Sequence, residues 1–459
     1  MRRSAALAGF VALAACAGPR PAIPPAASLA PPPAWREGAA GMAAIRDEWW
    51  KAFGDPALDA MVARAIAGNS DLAIAAGRVA EARAQYGIVR SQQLPSLGAG
   101  AGGQRERFVN PFGQPAEQTA GQAQLQAAYE VDLFGRLASG TAAARAALLA
   151  SEAARETVRL AIISSAVSGY IQLRALDARL EVLRQTLAAR TDSLRIARRR
   201  AEAGYATNLE LRQSEAEARA TEQLIPTTEL AIRRQEDALS LLLGESPRAI
   251  ERGAPLDRLA PPPPPESLPA ALLRQRPDIA QAEQQMIAAD HSLDAARAAF
   301  MPQVQLSASG GYVASTLLTD PIGIFSLGGS VLAPLFAGGR LRAQADAAAA
   351  RRDQAAFGYQ RAALAAFRDV EDALAAVRRT AEQEQVVVAQ RDALSGALRL
   401  ATNRYRAGYS PYLDQLDAQR GLLGAELALV QAHADRLSAY VSLCQSLGGG
   451  WSAERLASR

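Results

Sequence analysis

Of the side chains in this 459-residue chain that could do chemistry, Cys16 has the most telling setting. Arg2 and Arg3 open the sequence, Ala5 to Ala15 form an apolar stretch, and Leu13-Ala14-Ala15 leads directly into the cysteine. Small residues there fit a signal peptidase, and the thiol behind them can take a diacylglycerol. The expected cofactor set is therefore a covalent diacylglycerol and an N-acyl lipid on Cys16, and nothing else. An ordinary export signal that happens to contain a cysteine is the alternative, and the leucine three residues ahead and the proline-rich stretch behind favour the lipid. Ala17 is not an acidic inner-membrane retention cue, which points to the outer membrane. The acyl chains would anchor through buried methylenes, about 0.8 kcal/mol each.

Other reactive groups are sparse. One further cysteine, Cys444, and two histidines, His291 and His433, are too few for a dedicated metal site, and a lipidated Cys16 leaves no disulfide. Phosphate-loop, HExxH and GxSxG patterns are absent, so an enzyme is not expected. Gly98 to Gly103 is glycine-rich but sits in a strand beside a turn at Asn110-Pro111 and Gly113. The formal charge of +4 falls to +2 without Arg2 and Arg3, and the arginines are dispersed along helices, which excludes nucleic acid as a partner. Asp414 and Asp417, with Arg404, Arg406 and Arg420 around them, form one more charged group. On their own terms these acids read as residues of a solvated first helical turn, favourable near the positive end of the dipole.

The elements that carry these residues follow one plan twice. Asp71, Arg90 and Pro95 recur as Asp278, Arg297 and Pro302, each time displaced by 207 residues. Ala203-Gly204-Tyr205 with Leu209 recurs as Ala407-Gly408-Tyr409 with Leu413. Such ordered recurrence marks an internal duplication, each copy being helix, β-hairpin, long helix, break, helix. The domain plan is then a signal peptide over 1–15, a lipidated tether and equatorial segment over 16–48, and a first repeat over 49–250. A proline-rich equatorial join over 251–275, a second repeat over 276–446 and an equatorial tail over 447–459 complete it. Residues 17 to 34, rich in proline and alanine, should be extended.

Gln303 to Ser309 alternates polar and apolar residues without error, as do Gln122, Gln124 and Gln126 with Ala123, Leu125 and Ala127. Period two with one wet face describes either a half-buried soluble sheet or a barrel wall. Between Pro115 and Pro226, and between Pro334 and Pro411, there is no proline. Residues 137–202 can then form one helix of roughly 95 Å. Leu173, Leu176, Leu180, Leu183, Leu187 and Leu194 keep a 3-4 spacing broken only by Arg190, and a second seam runs from Leu413 to Cys444 with Arg420 and Ala434 departing from large apolar residues. In that register Cys444 reads as a small core residue. Gly204 and Gly408 end one helix before the next and mark two tip turns.

No apolar run of eighteen residues follows the signal, so any membrane crossing must be made by strands. Open strand edges cannot face lipid, and four strands per chain are too few to close a barrel. Two chains would give a barrel packed shut by side chains; three give twelve strands and a lumen. The expected fold is mainly α with β, internally duplicated. It joins a long α-helical barrel to a transmembrane β-barrel with four strands per protomer and twelve in a homotrimer whose wall meets outer-membrane lipid.

Several ordered motifs resemble the outer membrane factors, the TolC-like exit ducts, and within them the lipidated efflux branch (OprM- and NodT-like). They are Trp50 through Phe53-Gly54-Asp55-Pro56, Tyr129-Glu130-Val131-Asp132-Leu133-Phe134-Gly135-Arg136, Leu273 through Ile279, Pro334-Leu335-Phe336 with Gly338-Gly339-Arg340, Ala407 through Arg420, and Leu447 through Trp451. The resemblance implies a passive outer-membrane duct for small-molecule drugs, toxicants or metals. These would be handed over by a periplasmic adaptor and an inner-membrane resistance-nodulation-division (RND) pump. It further implies that Leu413 is a hydrophobic constriction and that Asp414 and Asp417 are aperture carboxylates of a periplasmic gate, with Arg404, Arg406 and Arg420 as ion-pair partners. Pro411, within the second tip turn, departs from the family pattern. The exit duct of an ATP-driven type I protein secretion system uses the same architecture. A lipidated periplasmic adaptor is a further reading, but it needs a single helical hairpin where this chain has a duplicated plan.

Overall fold

The computed structural model describes residues 19–36, 45–261 and 269–454; the export signal and Cys16 lie outside the described residues. Helix α1 (Pro56–Gly68) is followed by α2 (Ser70–Ser91), the hairpin β1 (Ser96–Val109) and β2 (Pro115–Val131), and the 67-residue α3 (Arg136–Glu202). Then come α4 (Asn208–Glu222), α5 (Leu224–Leu242) and α6 (Pro269–Gln275). The second copy holds α7 (Pro277–Ala298), β3 (Gln303–Ser315), β4 (Ile322–Leu332), a second 67-residue helix α8 (Arg340–Arg406) and α9 (Tyr412–Ser446). Both ends of α2 recur in α7 at the displacement of 207 residues read from the sequence. The expected long helix over 137–202 is α3 almost to the residue.

The helix breaks have local causes. Asp55 caps α1 by accepting from the Ala57 amide at 2.9 Å, with Pro56 at the first helical position, where its missing N–H costs nothing. Pro226 lies in the first turn of α5, so the chain steps from α4 to α5 at Gln223 with little loss of direction. The expected helix over 137–202 is free of proline and runs unbroken.

Two compact units emerge, and each draws on both repeats. Among the described residues the first holds 19–29, 77–152 and 281–361, and with them the sheet. All four strands pair antiparallel in the order β1-β2-β3-β4, so β2 and β3 join hairpins from different repeats and β1 and β4 are the edges. The register sorts the side chains. Leu97, Leu125, Leu306, Tyr312, Phe325 and Leu327 fall on one face, each between 46% and 83% exposed. Gln122, Gln124, Gln126, Ser309 and Ser326 fall on the other, where Gln118 donates to the Ser315 hydroxyl at 2.9 Å and the Ser309 and Ser326 hydroxyls meet at 2.9 Å. Large apolar side chains left open on one face in register describe a wall that faces lipid, not one side of a soluble core.

In this unit residues 19–29 of the proline-rich segment, expected to be extended, are interrupted by one 3-10 turn at Pro25–Ala27, and they are also strapped down. Arg20 pairs with Asp290 at 2.7 Å and Asp294 at 3.0 Å. Arg352, 1% exposed, donates to the carbonyls of Pro21 at 2.6 Å and Ala22 at 2.9 Å while pairing with Asp353. Proline-rich backbone lacks donors but keeps its carbonyls, and a guanidinium supplies what those carbonyls need.

Among the described residues the second unit holds 30–36, 45–76, 153–261, 269–280 and 362–454 and the main core. Trp49, Trp50 and Phe53 pack with Leu58 and Val62 of α1, Tyr170 and Leu173 of α3, and Leu437, Tyr440 and Cys444 of α9. At its centre Asp55, 1% exposed, also accepts from the Tyr170 hydroxyl at 2.7 Å and the Ala254 amide at 3.0 Å, while the Gly253 amide donates to that hydroxyl at 2.8 Å. A side chain at Gly253 would collide with Asp55 Oδ1. Cys444 is fully buried beside Tyr440, and burial pushes its thiol up to about 12, which leaves it inert.

Candidate functional site

The two tip turns end their helices in the same way. Gly204, at φ +78°, donates to the Ala201 carbonyl at 3.0 Å while Tyr205 N–H reaches Arg200 at 2.8 Å. Gly408, at φ +77°, donates to the Tyr405 carbonyl at 3.1 Å and Tyr409 N–H reaches Arg404 at 2.8 Å. Each pair is a Schellman closure, and only glycine enters that left-handed backbone without a Cβ penalty.

After the turns the copies diverge. Thr207 caps α4, accepting from the Glu210 amide at 3.2 Å. Its counterpart Pro411 stands at the N-cap of α9 and offers no side-chain acceptor. Asp414 then lies in the uncapped first turn, where a carboxylate offsets the positive helix end. The departure at Pro411 thus leaves the extended entry into α9 intact and removes a cap.

Along α9 the positions 413, 414, 417 and 420 share one face, and Leu413 (50% exposed), Asp414, Asp417 and Arg420 are all exposed there. Tyr412, Gln415 and Leu416 on the opposite face are buried. The buried face holds the tip together. Tyr412 and Leu416 cluster with Tyr405 of α8, the two tyrosine rings 5.5 Å apart and tilted, and the Arg200 guanidinium of α3 lies 4.9 Å from the Tyr405 ring centre. Burial pushes the Tyr405 phenol up, so it stays neutral.

Arg190, which the leucine spacing shows as a break in the α3 seam, is 4% exposed. Its guanidinium pairs with Glu217 of α4 at 2.9 Å and donates to the Thr221 hydroxyl at 2.7 Å and the Glu217 carbonyl at 3.0 Å. Burial lowers the pKa of Arg190 and the Glu217 charge opposes that drop. The same Glu217 carboxylate takes two hydrogen bonds from Arg420, the Nε one at 2.8 Å. Within one chain Arg420 is therefore held by Glu217. Arg404 and Arg406 are exposed at the end of α8. Glu217 carried no periodic signal; the clue was the lone buried-register arginine, which needs an acid.

Comparison with known proteins places this architecture. Residues 61–245 and 268–449 match the outer membrane efflux protein family, one block in each repeat. The pyoverdine export outer membrane protein OpmQ of Pseudomonas aeruginosa is 35% identical over 474 aligned residues, covering 99% of this chain and 98% of that protein. The solvent efflux pump outer membrane protein SrpC of Pseudomonas putida is 36% identical across 88% of this chain and 87% of its own. Among solved structures, a membrane protein from Pseudomonas aeruginosa has a TM-score of 0.84 at 32% identity, covering 94% of this chain and 98% of that one. The open state of the Neisseria gonorrhoeae MtrE outer membrane channel has a TM-score of 0.83 at 28% identity, covering 95% and 98%. The likeness runs through both repeats and both hairpins. An exit duct of the outer membrane that extends into the periplasm, this chain belongs to the outer membrane efflux protein family.

Proposed function

We propose that the chain works as a homotrimer that takes small molecules from a periplasmic adaptor and an inner-membrane RND pump and conducts them passively outward. The observation that carries this reading is the sheet: a row of large apolar residues open on one face, Gln and Ser interspersed with Ile322 and Ile324 on the other, and free edges on β1 and β4. Edges of that kind close only against further copies, and three copies enclose a lumen whose wall carries the Gln amides and Ser hydroxyls. The relatives export pyoverdine or pump solvents, by their names, which favours small, chemically diverse cargo. Nothing in such a duct needs to select cargo; the pump does that.

The gate is part of the proposal. Repeated three times around an aperture, Leu413 makes an apolar constriction, and Asp414 and Asp417 make rings that hold cations and repel anions. Arg404 and Arg406 can reach those acids across a protomer boundary, while Arg420, held by Glu217, anchors α9 to α4. Cys16 carries the lipid that tethers each chain to the membrane.

A cross-linked pull-down of tagged protein from its native envelope, read by mass spectrometry, tests the assembly. Recovery of an adaptor with a proton-driven RND pump supports the reading. Recovery of an adaptor with an ATP-driven exporter would keep the duct and replace its cargo with secreted protein.

A further inference from the structure

The lipid-facing side of the sheet changes character toward its hairpin ends. From Tyr129 up β2, the outward positions are Ala127, Leu125, Ala123 and Gly121, then Thr119 and Glu117. On β1 the matching positions are Leu97, Ala99, Ala101 and Gly103, then Arg105 and Arg107. Tyr129 to Gly121 spans about 27 Å along the strand at 3.4 Å per residue. With a barrel tilt near 40°, the level of Arg105 stands about 26 Å above Tyr129 and that of Arg107 about 31 Å, just past an apolar band about 25 Å tall. Tyr312, one strand over, marks the upper part of that band. Both strands of each hairpin lead into helices at their other ends, so the hairpin end faces outward from the cell.

Arg105 and Arg107 are paired unequally. Arg105 Nη2 lies 3.1 Å from Glu117, but Arg107 Nε stands 3.9 Å away, too far for a hydrogen bond. The Arg107 and Arg105 side chains are 71% and 75% exposed. Two guanidiniums around one carboxylate leave one positive charge uncompensated on a surface that meets the outer leaflet.

We propose that Arg105 and Arg107, spaced by Glu117, form a docking site for the phosphate groups of the anionic glycolipid of the outer leaflet. Guanidinium forks suit phosphate oxygens, and the site sits at headgroup height. It rests on the reading of the sheet as a barrel wall.

The test uses full-length trimer in proteoliposomes holding lipid A or its fully dephosphorylated form, with glycolipid retained per trimer read by native mass spectrometry. R105Q/R107Q should lose retention of lipid A roughly tenfold, and R107Q alone roughly threefold, with E117Q at or above wild type. Retention of the dephosphorylated form should not depend on these residues. Unchanged lipid A retention in R105Q/R107Q, or an equal loss for the dephosphorylated form, overturns the proposal. The R107Q variant keeps the Arg105–Glu117 pair, so its result stands if the double variant fails to assemble. A bimane label at L327C, quenched by brominated phospholipid, separates the two readings: no quenching sinks the barrel wall itself, whereas quenching with unchanged retention sinks only the docking site.

Discussion

Arg190 of α3 and Glu217 of α4 form an ion pair at 2.9 Å with side chains only 5% and 10% exposed. It sits behind the exposed face of α9 that carries Leu413, Asp414 and Asp417, and Arg420 ties α9 to the same carboxylate. Removing one member of a buried pair costs more than removing both, because the survivor keeps its desolvation penalty. Glu217→Ala should therefore loosen the tip by about 3 kcal/mol, read as faster hydrogen exchange in α4 and the first turns of α9. Arg190→Leu together with Glu217→Leu should recover most of the protection. If the double variant exchanges as fast as the single one, the pair is not the element that holds these helices.

Asp414 and Asp417 can be separated from their helix-end role by conductance. Replacing both with Ala should raise the resting conductance of purified trimers in planar bilayers and weaken cation preference. The loss of helix-end charge is small by comparison, about 0.5 kcal/mol. Unchanged conductance would assign the acids to the uncapped first turn of α9 and leave Leu413 as the barrier to test.

Gly204→Ala and Gly408→Ala each force a Cβ into left-handed backbone, with no neighbour within 4 Å to add a clash. The cost is then conformational alone, about 1–2 kcal/mol per site. Thermal unfolding of trimers in detergent should show two losses of similar size. A much larger effect at Gly408 than at Gly204 would mean that the second turn bears on a contact between protomers.

Acid should loosen a clasp in the second unit. Burial raises the Glu384 carboxyl, but hydrogen bonds from Arg436, at 2.6 Å, and from His433 prevail and hold it below the usual carboxylate range. His433 also faces the carbonyls of Leu256 and Leu259, each at 3.0 Å from Nε2, so the clasp joins α8, α9 and the start of the proline-rich join. A depressed acid contributes its stability above its unfolded value, near 4.3, and loses it as pH falls through the lower folded value. Glu384→Gln should flatten the fall in thermal midpoint between about pH 5 and pH 3. A slope identical to wild type would place the acid sensitivity elsewhere.

What the residues alone determined is the local and periodic part of this protein. The spacing of leucines, the runs without proline and the left-handed glycines specify α3, α8 and the tip turns, because each depends on neighbours a few positions away. Period-two alternation at Gln122–Ala127 and Gln303–Ser309 likewise marks strands, and the common displacement of the two copies marks the duplication. Tertiary structure decided the rest. Arg190 reads as a flaw in a seam until Glu217 and Arg420 converge on it from two other helices. Glu117 between Arg105 and Arg107 acquires meaning only from the strand register, which assigns all three to the lipid side. Arg352 claims the carbonyls of a proline-rich segment 330 residues away in the chain. Long-range pairs of this kind are set by which faces pack together, and a face has no signature at any single position.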